Sequence, residues 1–71
     1  MEAQLFEDRG MRCRWASDVS YDGIRLEVIA ANGDVLFDVG VPDEGPFSVN
    51  TFGADVDADL IVAAIELARQ R

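Results

Sequence analysis

The stretch Ile24-Arg25-Leu26-Glu27-Val28-Ile29-Ala30-Ala31-Asn32-Gly33-Asp34-Val35-Leu36-Phe37-Asp38-Val39-Gly40-Val41 decides the fold. Two segments rich in β-branched and aromatic residues flank Asn32-Gly33, a strong signal for a tight hairpin because its type I′ turn needs positive φ at both central positions. A two-residue loop there sets Ala30 opposite Val35, Val28 opposite Phe37, Leu26 opposite Val39 and Ile24 opposite Val41. Side chains alternate between faces along a strand, so these eight share one apolar face. A slip of one residue would scatter it.

Working outward, Asp22-Gly23 repeats the turn signal. It predicts Tyr21 opposite Ile24, Val19 opposite Leu26, Ser17 opposite Val28 and Trp15 opposite Ala30, on the same face. Pro42-Asp43-Glu44-Gly45-Pro46 is a rigid turn that ends the third strand. Phe47 to Phe52 reads as a short fourth strand with Phe47 and Val49 toward the core. The expected strands are 13–21, 24–31, 34–41 and 47–52.

A C-terminal helix is expected over 56–70. Asp55 suits its N-cap, Asp57 and Asp59 its positive start, and Arg69 and Arg71 its negative end. Its apolar residues span more than the arc of roughly 100° that one sheet contact buries. The expected fold is therefore α+β: a four-stranded antiparallel β-meander packed on one C-terminal α-helix (ββββα). Two readings fit the first ten residues. Glu2 to Asp8 pairs with Met11 to Trp15 across Arg9-Gly10 as a fifth strand, or it forms a helical turn.

The chain's 71 residues suffice for one domain, 1–71, with a small core. No apolar run approaches the ~20 residues that span a bilayer, and the N-terminus lacks a signal-peptide layout. Cys13 is the single cysteine. These features place the expectation in a reducing cytoplasm. Fourteen acids face six bases, all arginine, for a formal charge of −8. That charge repels nucleic acid and membranes and favours a protein partner with a basic surface.

The register generates the candidate sites. On the solvent face, Asp18, Glu27 and Asp38 form an acidic row, with Ile29, Leu36 and Phe52 beside it. These six are the predicted partner-binding residues. Reversing Glu27 and Asp38 to arginine is expected to abolish binding and spare the fold. Ile61, Ile65 and Ala68 extend the helix arc and are the candidate dimer surface.

Asp55-Val56-Asp57-Ala58-Asp59 with Glu66 echoes a calcium loop, but the sixth position is Leu60 instead of glycine and the periodicity is helical. Acids at a helix start explain it better. Arg9, Arg12, Arg14 and Arg25 near Trp15 could suggest single-strand binding; local pairing, such as Glu7 with Arg12, explains them better. The arginines beside Cys13 favour a lower thiol pKa, but the register turns Cys13 inward at the edge of the core, which speaks against a reactive thiol. The chain has neither His nor Lys, so catalysis finds little support. No metal and no cofactor is expected.

The leading expectation is a non-catalytic acidic interaction module: an inhibitor, antitoxin-like or adaptor protein, in its sharpest form a phage-encoded nucleic-acid mimic. The alternative is a homodimeric structural or accessory subunit using the apolar helix. Salt separates them, because docking through carboxylates weakens as salt rises and apolar dimerisation does not.

Overall fold

The computed structural model describes residues 2–17 and 23–70. The element order is α1 (Glu2–Asp8), β1 (Arg12–Ser17), β2 (Gly23–Ile29), β3 (Val35–Pro42), β4 (Ser48–Asn50) and α2 (Ala58–Arg69). The strands form one antiparallel sheet in the order β1-β2-β3-β4. The four-stranded meander with its C-terminal helix is the architecture that the sequence implies. No helix is long and apolar enough to cross a membrane.

The central hairpin keeps the expected register from Ile24↔Val41 to Val28↔Phe37, including Leu26↔Val39. Its turn differs. The Ala30 N–H donates to the Asp34 carbonyl, and the Gly33 N–H to the Ala30 carbonyl. Gly33 sits at φ +93 and Asn32 is not left-handed. This is a three-residue loop, a type I turn closed by a left-handed glycine. Asn32 Oδ1 accepts from the Asp34 N–H at 3.0 Å, which holds Asn32 out of the type I′ geometry.

Near the turn the strands are therefore one residue out of step with the core. The pairs Val28↔Phe37 and Ile29↔Val35 skip Leu36, which is the extra residue of a β-bulge. The bulge absorbs the mismatch and returns the core to its register. Strict alternation also fails there. Ile29, expected on the solvent face, is buried, and Leu36 is half-buried against the core.

The first hairpin corrects the sequence reading. β1 pairs as Cys13↔Val28, Trp15↔Leu26 and Ser17↔Ile24. The slide is four residues, an even number, so each β1 side chain keeps its face and changes its partner. The expected pairing of Tyr21 with Ile24 is replaced by Ser17↔Ile24; Asp22 lies outside the described residues, and Gly23 is in the ladder opposite Pro42. A Cβ at Gly23 would lie 2.3 Å from the Val41 carbonyl oxygen, so close backbone packing requires the glycine. Val19 and Tyr21, once matched to Leu26 and Ile24, lie outside the described residues. Trp15, assigned to the core, sits on the edge strand and is 40% exposed.

The N-terminal segment is helix, not a fifth strand. Arg9-Gly10 is a helix stop instead of a hairpin turn. The Met11 N–H donates to the Phe6 carbonyl and the Gly10 N–H to the Glu7 carbonyl, with Gly10 left-handed. These bonds form a Schellman cap. Phe6 is buried and joins Leu26, Val28, Phe37, Val39, Leu60 and Ala64 in the core. The N-cap of α2 is Asp57 rather than Asp55, and its side chain makes no cap bond. Its carboxylate accepts from Arg9 at 2.8 Å, which ties the end of α1 to the start of α2.

Phe37 and Leu26 are sealed in this small core. Either change to alanine is expected to cost about 2–5 kcal/mol through the cavity left behind. In a domain this size that loss unfolds much of the population. An unshifted urea midpoint would contradict their place in the core.

Candidate protein-docking surface

The shifted register changes the charge of the open sheet face. The cross-strand row reads Arg14, Glu27, Asp38, Asn50. Arg14 donates from Nε and Nη2 to Glu27 Oε1 at 2.9 and 2.6 Å. Arg25, one position along, donates to Asp38 Oδ1 at 3.1 Å. Asp38 is only 5% exposed. Glu27 and Asp38, expected to meet a partner, are instead matched within the sheet, and Asp38 is buried. Asp18 lies outside the described residues. Of the six predicted contact residues, Asp38 and Ile29 are out of reach of a partner, Glu27 is paired, Leu36 is half-buried, and only Phe52 is prominent.

Phe52 is 57% exposed and carries φ +56, the one left-handed residue other than glycine among those described. The Ala54 N–H donates to the Thr51 carbonyl, and Gly53 is at φ +82. Phe52-Gly53 is thus a type I′ turn with an aromatic at a position that favours Asn or Gly. The Asn50 side chain accepts from the Phe52 N–H at 3.0 Å and fixes the turn's entry. The sequence carried this signal in Phe52-Gly53-Ala54, but it read as the end of a strand.

The helix α2 has two flanks. Leu67 and Ala63 face the side where α1 supplies Phe6. Helical spacing of three and four residues groups Ile61, Val62, Ile65 and Arg69 on the other flank. There a cleft of about 480 Å³ opens between α2 and the loop before β4, lined by Gly45, Pro46, Phe47, Ile65 and Arg69. Phe47 and Val49, expected to be core, are exposed over more than a third of their surface, and Val62 over 57%. Of the three dimer candidates, Ala68 is buried in the core, whereas Ile61 and Ile65 pack against its margin. The wide apolar arc is half covered among the described residues: α1 takes one flank and does not reach the β4 side.

Exposed carboxylates stand in the loop leading into this cleft and before the start of α2. Asp43 and Glu44 precede the cleft-lining Gly45, and Asp55 precedes α2. All three are exposed and make no ion pair among the described residues. The one cation lining the cleft, Arg69, approaches Glu66 at 3.7 Å.

Two other features resolve as structure. A cleft of about 240 Å³ beside α1 is lined by Phe6, Glu7, Met11, Arg12, Cys13 and Leu67. Burial pushes the Cys13 thiol up, against the lowering expected from its arginine neighbours. Arg12 makes no pair with Glu7 among the described residues. The span from Asp55 to Glu66 runs into α2, so it does not form a calcium loop. Among the described residues no group of three metal-ligating side chains assembles.

No protein-family model, no curated protein and no solved structure matches this chain.

Two outcomes test this site. Replacing Glu27 and Asp38 by arginine sets like charges against Arg14 and Arg25, so the pair of changes is expected to destabilise by about 3 kcal/mol or more, contrary to the sequence expectation. An unchanged melting temperature would show that the pairs do not form. Phe52→Asn relieves the left-handed strain and is expected to stabilise by about 1 kcal/mol. A lower denaturant midpoint would show that the exposed ring supports the fold.

Proposed function

We propose that this chain is a non-catalytic acidic protein-interaction module that docks on a basic, partly apolar surface of a partner. The observation that carries this reading is the flank of α2 beside β4, which no other described residue covers and where Val62, Ile65, Phe47 and Val49 stand in reach of solvent. Large contiguous apolar surfaces on a small monomer mark contact sites. The unmatched Asp43 and Glu44, next to the cleft-lining Gly45, give that surface its sign. The sheet face, first in line from sequence alone, falls behind because its charges satisfy one another. An inhibitor, an antitoxin-like protein, an adaptor or a nucleic-acid mimic would use such a surface in the same physical way. Apolar side chains supply the affinity, and carboxylates supply orientation and association rate.

A homodimer would use the same flank. Its sign is a mass in solution twice that of the chain, insensitive to salt.

The reading is tested by affinity capture from the native host with three variants. Val62→Asp places a charge on an already exposed position and is expected to abolish capture with the fold intact. Asp43→Arg with Glu44→Arg is expected to weaken it, more so at low salt. Arg14→Ala, on the opposite face, is expected to leave it unchanged. Capture that survives the first two variants and fails with the third would move the site to the sheet face and overturn this reading.

A further inference from the structure

The layer of helices over the sheet is incomplete. Strands in a sheet lie about 4.8 Å apart, whereas packed helices lie 8–10 Å apart. Four strands thus support more than one helix. Here α2 lies over the two central strands and α1 fills the place beside it, with Phe6 buried. Among the described residues no helix takes the matching place on the β4 side of α2, where Ile65, Pro46 and Phe47 line a cleft and Val62 of α2 and Val49 of β4 are exposed.

We infer that this place takes an amphipathic α-helix supplied by a partner, apolar toward Val62, Ile65, Phe47 and Val49 and basic along its margins; the inference rests on the docking surface proposed above. Three observations favour a helix. The ridge Ile61-Ile65-Arg69 follows the four-residue spacing that interlocks with a neighbouring helix. The edge strand β4 has only three residues, a short template for an added strand. The opposite flank of α2 already accepts a helix, α1, in the same layer. The charge of the occupant follows from Asp43 and Glu44, exposed in the loop that leads into the cleft-lining Gly45 and without ion partners among the described residues.

Three synthetic peptides of about four helical turns test it: a Leu/Lys sequence with leucine at three- and four-residue spacing, a scramble of identical composition, and a Leu/Glu counterpart. Binding is read by fluorescence anisotropy and helix gain by circular dichroism. The patterned Leu/Lys peptide is expected to bind, to gain helix, and to weaken about tenfold or more with Val62→Asp or with Asp43→Asn plus Glu44→Gln. Equal binding of the scramble, or binding indifferent to Val62→Asp, would overturn the helical occupant. If host capture still depends on Val62 in that event, the docking surface stands and only its occupant is wrong. A salt-insensitive dimer that Val62→Asp dissociates would instead assign the place to a second copy of this chain.

Discussion

The β2–β3 ladder is the constraint on which the rest of the structure depends. It supplies Leu26, Val28, Phe37 and Val39, four side chains with almost no exposure, from two neighbouring strands. Everything else packs on that apolar square or extends its edges. α2 lays Leu60, Ala64 and Ala68 over it, and α1 closes one side with Phe6. The register has to be held through a turn that works against it. The three-residue loop at Ala31-Asn32-Gly33 puts the strands one residue out of step, and the bulge at Leu36 takes up the difference. Apolar burial outweighs local ladder regularity, since a one-residue slip of either strand would carry its two core side chains to the wrong face.

The same ladder decides where charge is spent. Glu27 and Asp38 are fixed opposite each other on the open face, a repulsive arrangement on its own. β1 supplies Arg14 directly beside Glu27, and β2 supplies Arg25 diagonally to Asp38. A face that looks acidic in one register is internally matched in the other. Asp43 and Glu44, in the loop before β4, stay exposed and without ion partners among the described residues.

The sequence made the central hairpin legible because two independent signals, a turn dipeptide and an apolar face, agreed on it. It misled at Asp22-Gly23 for a physical reason. A glycine that permits close backbone approach inside a strand is indistinguishable, in one dimension, from a glycine that permits a turn. Arg9-Gly10 misled likewise, its glycine serving a helix cap. The helix arc was correctly read as too wide for one contact, but which flank stays bare depends on α1, whose seven residues carry too little periodicity to place. Phe52 was visible as an aromatic beside glycine. Its left-handed backbone was not, since nothing in composition distinguishes a strand end from a type I′ turn with an unfavoured residue.

Native-state hydrogen exchange, residue by residue, tests the central claim most directly. The ladder account expects the amides of β2 and β3 around Leu26, Val28, Phe37 and Val39 to exchange only by global unfolding. Those of Ser48, Val49 and Asn50 in the exposed edge strand are expected to exchange by local opening, orders of magnitude faster. Protection in β4 equal to that of β2 and β3 in the isolated chain would show that its flank is not bare. Weak protection in the central hairpin would show that the fold does not hang on that ladder.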